Sequence, residues 1–350
     1  MIKYIGSKRK LIAELLSVVS SLPKVETVLD LFSGTARVGS ALRARGYTVT
    51  ANDHNAYAYT LAQCYVAADA EHWTTAAAQH IADFNRMVGE PGYFTRTYCE
   101  EARYFQPKNG ARIDAIREAI SGLSLPDPLQ AILLVSLMEA ADRVDSTVGL
   151  QMAYLKSWAP RAHNDLELRL PELVRGPLGS ARMLDAFECV RGLTHDLVYI
   201  DPPYNQHKYL NNYHVWESLV RWDKPEVYGI ARKRVDCRQY DSPFNSKPRI
   251  HAALRALVQN IDARYLVVSF NDEGYVSESE LVEILQARGP VAVRRVDFRR
   301  YVGAQIGIYN PRGEKVGRIS HLENRECLFL AGPDAHACMR GVGQQLTLFG

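Results

Sequence analysis

The chain has 350 residues, beyond the roughly 250 to 300 at which a single hydrophobic core stops growing, so its length points to one core carrying a substantial insertion. Hydrophobic residues make up 47% and charged residues 23%, which excludes disordered, collagen-like and disulfide-scaffold chains. The formal net charge is only +3.

That charge is unevenly spread. Residues 205–250 carry nine Lys/Arg against five Asp/Glu, and residues 291–320 carry seven against two, the footprint of a basic face for a polyanion. Six scattered cysteines (Cys64, Cys99, Cys189, Cys237, Cys327, Cys338) form no C-x-x-C pair, so no structural zinc and no metal site is expected, and the thiols read as reduced. The segment MIKYIGSKRK is too polar for a secretory signal, and no long apolar run follows. A cytoplasmic chain without membrane contact is expected.

In chain order, the first strand is read at Thr27 to Leu31. It breaks into the loop Phe32-Ser33-Gly34-Thr35 and then a helix from Ala36 to Arg45, a strand, turn and helix unit. Gly46 ends that helix, and Tyr47 to Ala51 reads as a second strand stopping at Asn52-Asp53. Alanine- and leucine-rich helical stretches follow at Ala56 to Ala70, Ile113 to Ile120 and Pro128 to Arg143. Residues 70–180 are therefore predicted to be a mainly helical inserted domain.

Strands return at Leu197 to Ile200 and Tyr265 to Phe270, with helices around Val215 to Arg221 and at His251 to Ala263 between them. Helix Glu278 to Arg288 and strands Val291 to Phe298 and Glu326 to Leu330 complete the pattern. The predicted class is α/β: a Rossmann-like, mostly parallel sheet with a late antiparallel hairpin, built from residues 1–69 and 181–332 around the insert. Residues 333–350 read as a loose tail.

An open α/β sheet gathers its chemistry at the carboxyl ends of its strands. Ser33, Gly34 and Gly39 allow a ligand close to the backbone, but the loop lacks G-x-G-x-x-G, which disfavours a nicotinamide dehydrogenase. Asp53 ends the second strand 19 residues after Gly34, where a carboxylate accepts both hydroxyls of a ribose; capping the next helix is the plainer alternative.

Asp201-Pro202-Pro203-Tyr204 directly follows the apolar strand Leu197 to Ile200. Two prolines remove donors, so the turn offers acceptors, which suit an amine. An aromatic amine is a poor nucleophile because its lone pair is delocalised into the ring. The Asp201 carboxylate and the Pro202 carbonyl can each accept one of its N–H bonds, drawing nitrogen towards tetrahedral geometry and stabilising the charge of methyl transfer, with Tyr204 stacked on the base.

With Lys3-Tyr4-Ile5-Gly6-Ser7-Lys8 at the start, the order of these elements resembles the Dam-like class of adenine-specific DNA methyltransferases. That resemblance implies S-adenosylmethionine as cofactor, contacted by Tyr4, Lys8, Asp53 and Asp201. It places Phe32 and Gly34 at the cofactor's methionine end and Asp185 at its adenine amine. It also implies double-stranded DNA as substrate and a flipped adenine as target. A guanine-amine methyltransferase of ribosomal RNA, a cytosine-amine DNA methyltransferase and an inactive DNA-binding relative are the alternatives. The length and the N-terminal lysine element favour DNA over RNA, and Asp before the prolines favours adenine over cytosine.

The insert carries eleven Lys/Arg against fourteen Asp/Glu, so base readout by Arg103, Lys108 or Arg112 is expected of it rather than electrostatic anchoring. Lys208, Arg299 and Arg300 in the basic windows are expected to contact phosphates. No nuclease motif is evident, so any cognate restriction endonuclease would be another chain. The closing Gln345-Leu346-Thr347-Leu348-Phe349 resembles the Q-L-x-L-F peptides that engage the replication sliding clamp, with self-docking of the same residues as the alternative.

Overall fold

The computed structural model describes residues 1–6, 8–271, 274–299, 308–309, 315–317 and 323–348. Seven strands form the central sheet: β1 (Thr27–Asp30), β2 (Thr48–Asn52), β3 (Ser180–Arg182), β4 (Thr194–Ile200), β5 (Asp262–Asn271), β6 (Val291–Arg299) and β7 (Glu323–Ala331). Their spatial order is β3-β2-β1-β4-β5-β7-β6. The first five are mutually parallel, and β7 runs antiparallel between β5 and β6. The expected Rossmann-like sheet with a late antiparallel hairpin is therefore present. Strand order reverses between β1 and β4, the place where such sheets open a crevice for ligands.

The strands are apolar on both faces because helices cover both. Val28, Leu197, Tyr199, Val267 and Leu328 point into one core, and their neighbours Leu29, Val198, Ile200, Val268 and Phe329 into another. Helices α8 (Ile250–Asn260) and α9 (Glu278–Leu285) cover the second face. On the first lie α1 (Ile12–Ser20), α2 (Arg37–Arg43) and α3 (Ala56–Ala62).

Residues 70–180 contribute α4 (Ala70–Arg86), α5 (Pro107–Gly122) and α6 (Asp127–Arg143). Ile81, Ile113, Ile116, Leu133 and Leu137 join the first core rather than forming one of their own. Asp114 on α5 holds this region together. Its buried carboxylate accepts from Gly92 N (2.9 Å), Phe94 N (2.9 Å), Thr95 N (2.8 Å) and Thr95 Oγ1 (2.7 Å). Arg117, one turn on, donates to Leu219 O (2.8 Å) and Val220 O (3.1 Å), terminal carbonyls of α7 (His214–Arg221).

Some boundaries differ from the sequence reading. The stretch Ala56 to Ala70 is interrupted by the π-helical turn Gln63–Ala67, and α4 starts afresh with Asp69 accepting from Glu71 N (2.9 Å). Helix α8 stops at Asn260 because β5 begins at Asp262. Strand β3 has only three residues and no apolar run, so periodicity does not find it. The segment expected as a loose tail is helix α10 (Ala335–Leu348), anchored by the buried Ala335 and Val342. No helix among the described residues is long and apolar enough to cross a membrane.

Candidate active site

At the carboxyl ends of β1, β2 and β4 lies a cavity of about 710 Å³, within the usual range for a cofactor site. Asn52, the last residue of β2, builds one wall: its amide donates to Leu31 O (3.2 Å) and Leu184 O (3.1 Å) and accepts from Leu184 N (3.2 Å). This ties the glycine loop to the segment holding Asp185.

Gly34 has φ +51°, and a Cβ there would lie 3.3 Å from the Tyr4 hydroxyl, so close approach as well as conformation requires glycine. Gly34 N donates to Asp53 Oδ2 (3.0 Å), while Asp53 Oδ1 accepts from Asn55 N (2.9 Å) and Asn55 Nδ2 (3.0 Å). Asp53 therefore both fixes the loop and lines the cavity. Burial raises its pKa, against the pull of these donors.

Asp30 ends β1. Its Oδ2 accepts from Gly39 N (3.0 Å), and burial pushes its pKa up to about 8. Asp30 Oδ1 and Ser33 Oγ are buried with no hydrogen-bond partner. Two orphaned polar atoms on one cavity wall leave capacity for a polar ligand. Phe32 meets Phe244 edge-on at 5.3 Å and Phe187 stacks on Phe244 at 5.9 Å, an apolar wall beside Asp185. Asp185 Oδ1 also caps the short helix Ala186–Val190 through Phe187 N (2.8 Å).

The opposite wall includes Asp201 and Pro203 of the turn after β4; Pro202 and Tyr204, expected beside Asp201 at the reaction centre, are buried behind them and do not line the cavity. Asp201 Oδ1 accepts from Ser269 Oγ (3.0 Å) and pairs with Lys8 Nζ (3.1 Å). Burial raises its pKa to about 6, although Lys8 pulls it down. Lys8 also pairs with Glu326 Oε2 (2.9 Å). Burial works against the Lys8 ammonium, but Asp201, Tyr204 and Glu326 hold its pKa well above the usual lysine range. Tyr204 is buried, its ring 4.9 Å from that of Phe270 and its hydroxyl accepting from Asn271 Nδ2 (2.9 Å). Tyr4 stacks between Tyr209 (5.3 Å) and Tyr213 (4.6 Å).

A family model described as "D12 class N6 adenine-specific DNA methyltransferase" matches residues 4–284. The chain belongs to that family. Membership implies S-adenosylmethionine as methyl donor. "Modification methylase StsI" of Streptococcus sanguinis is 31% identical over 87% of this chain and 49% of its own. "Type II methyltransferase M.NlaIII" of Neisseria lactamica is 28% identical over 85% and 92%. "Type II methyltransferase M.FokI" of Planomicrobium okeanokoites is 28% identical over 85% and 49%. The chain thus spans about half the length of two of these relatives and nearly all of the third.

Tyr4, Lys8, Phe32, Gly34, Asp53, Asp185 and Asp201 all border the one cavity. Of the residues expected to meet DNA, Arg103, Lys108, Arg112 and Lys208 do not line it and are held by their own chain. Arg103 donates to Lys156 O (2.7 Å) and its guanidinium lies 4.8 Å from the Trp158 ring. Lys108 binds His163 O (2.8 Å) and Asp165 (2.6 Å). Arg112 donates to Asn85 O (3.1 Å), and Lys208 to Tyr240 O (2.6 Å). Arg299 closes β6, and Arg300 lies outside the described residues.

Sequence reasoning missed Ser269, Glu326, Tyr209 and Tyr213. The parallel register that pairs Ile200 with Val268 makes Ser269 the neighbour of Asp201, a signal available only once strand order is known.

Proposed function

We propose that this protein is a site-specific DNA methyltransferase that moves a methyl group from S-adenosylmethionine to the N6 amine of an adenine flipped out of the duplex. The observation that carries this reading is the meeting of Asp201 and Pro203, from the Asp-Pro-Pro-Tyr turn, with the glycine loop and Asp53 around one cavity. The lining suits a cation: Asp53, Asp185, Asp201, Glu217, Asp236 and Asp241 outnumber Lys8, Arg37 and Arg221, whereas a polyphosphate would be repelled.

Phe32, Gly34 and Asp30 would hold the methionine end of the cofactor, Asp53 its ribose and Asp185 its adenine amine. When bound, the cofactor supplies an electrophilic methyl group on a sulfonium. The partners of Asp201 both fall on Oδ1, which leaves Oδ2 to accept one N–H of the target amine. The Pro202 carbonyl accepts the other, and the nitrogen lone pair is localised for in-line attack. Tyr204 offers a ring face to the base, whose amine is otherwise paired inside the duplex.

Arg103, Lys108 and Arg112 would read bases and Lys208, Arg299 and Arg300 would meet phosphates; Arg103, Lys108, Arg112 and Lys208 would exchange their intrachain contacts for DNA. A cognate endonuclease would be a separate chain. Clamp engagement by Gln345, Leu346, Leu348 and Phe349 would require the last turn of α10, helical to Leu348, to unwind; Phe349 lies outside the described residues. Titrating a labelled peptide of residues 340–350 against purified clamp tests that contact.

The test of function is incubation with radiolabelled S-adenosylmethionine and either plasmid DNA or total RNA, followed by digestion to nucleosides. Label in N6-methyl-2′-deoxyadenosine from DNA supports the reading. Label in a guanine or cytosine derivative, or none, refutes it.

A further inference from the structure

We propose that Glu326 is a positioning residue for methyl transfer, acting through Lys8 to fix Asp201 and to keep the face that meets the amine net negative. The proposal rests on the methyltransferase reading of the site and adds a role for the antiparallel strand. Because β7 runs against its neighbours, Glu326, near its start, lies level with Asn271 at the carboxyl end of β5. A parallel strand in that place would begin at the opposite edge of the sheet.

Lys8 Nζ lies 2.9 Å from Glu326 Oε2 and 3.1 Å from Asp201 Oδ1, and it is almost fully buried. Ser269 Oγ, itself in contact with the Tyr199 hydroxyl (2.8 Å), donates to the same Asp201 oxygen. The carboxylate thus has one anchored and one presented oxygen.

The anchoring creates an electrostatic conflict. Methyl transfer develops positive charge on the amine nitrogen, and an ammonium 3.1 Å from Asp201 opposes it. A lone Lys8–Asp201 pair would be neutral towards the substrate. Adding the Glu326 carboxylate makes the trio net negative while Lys8 keeps its anchoring role, the preorganised charge that favours a cationic transition state. The other titratable groups facing Asp201 are Asp30 and the phenols of Tyr199, Tyr204 and Tyr209. Burial keeps the phenols protonated and pushes the Asp30 pKa up to about 8, so below that pH Glu326 is the group that sets this balance against Lys8.

Glu326→Gln keeps an oxygen for Lys8 and removes only the charge. In single-turnover methylation of the accepted DNA between pH 5 and 9, the plateau rate should fall by roughly 10- to 100-fold, with cofactor affinity by calorimetry held within about twofold. The acid limb should move to lower pH by about half a unit or more, because Lys8, no longer offset, lowers the Asp201 pKa. A purely structural defect would lower the rate without that shift, and Glu326→Asp should restore part of the loss.

Where Glu326→Gln fails to fold, Lys8→Met combined with it removes the buried ammonium together with the charge that offsets it, and this double variant should match Lys8→Met alone. A Glu326→Gln rate within twofold of wild type, an unmoved acid limb, or a double variant more than twofold from Lys8→Met would overturn the proposal. Wild-type transfer to adenine tests the reading beneath it; should another amine be methylated, the same ratios are measured on that substrate.

Discussion

Replacing Asp201 by Asn should make the cofactor-free protein more stable while it destroys the reaction. Burial raises the Asp201 pKa from 3.8 to about 6 even with Lys8 beside it. The folded state therefore holds a proton that the unfolded chain releases between these values, and stability falls as pH rises through that window. Above about pH 6 the full cost is present, about 3 kcal/mol at 1.36 kcal/mol per pKa unit. The side chain is 20% exposed, and residual hydration reduces this to about 2–3 kcal/mol.

An Asn mimics the protonated carboxyl and escapes that cost. With an unfolding entropy of about 2 cal/mol/K per residue, the melting temperature should rise by roughly 3–4 °C. Paired thermal melts of wild type and Asp201→Asn at pH 8 and near pH 4 are the assay, with a gap at pH 8 that closes towards pH 4. Single-turnover transfer should fall by about 100-fold or more, as for loss of one preorganised electrostatic group. An Asn variant that melts at or below wild type at pH 8, or a gap that does not change with pH, would refute the claim that the fold strains to keep this carboxylate ionised.

Asp53→Ala strands the Gly34 and Asn55 N–H groups along with the ribose hydroxyls, so calorimetry should show cofactor affinity reduced by about 1–3 kcal/mol, or 5- to 150-fold. Tyr204→Phe keeps the ring and loses only the bond from Asn271; it should retain measurable transfer, whereas Tyr204→Ala should not. Asp114→Ala leaves the buried Phe94 and Thr95 N–H groups and the Thr95 hydroxyl without an acceptor and should cost about 3–5 kcal/mol. Because that region shares the sheet's core, one melting transition should shift as a whole; a separate early transition would contradict the shared core. A 2-aminopurine at the target position should brighten on binding as it leaves the stack, and unchanged fluorescence would count against flipping.

Much of this protein is written locally. The strand, loop and helix around Phe32 to Gly34, the end of β2 at Asp53 and the turn Asp201 to Tyr204 each combine apolar periodicity with punctuation by small or cyclic residues, and such signals need only neighbours in sequence. The sheet class followed from the alternation of these units, and the residues bordering the cavity from the rule that parallel strands deliver ligands to their carboxyl ends.

What the chain could not announce were relations between distant segments. Nothing in Glu323 to Ala331 marks Glu326 as a neighbour of Lys8, because the contact depends on β7 inserting antiparallel beside β5. Ser269 reads as one polar residue in an apolar strand until register sets it beside Asp201. The helices after Ala70 read as a domain of their own, yet their apolar faces are buried together with the sheet. Arg103 and Lys108, free cations by composition, are tied to Lys156 and Asp165 by the path of the chain through residues 144–179. Local propensity sets which segment becomes strand, turn or helix; tertiary packing sets which charges meet, because burial and Coulomb interaction depend on distance in space and not along the chain.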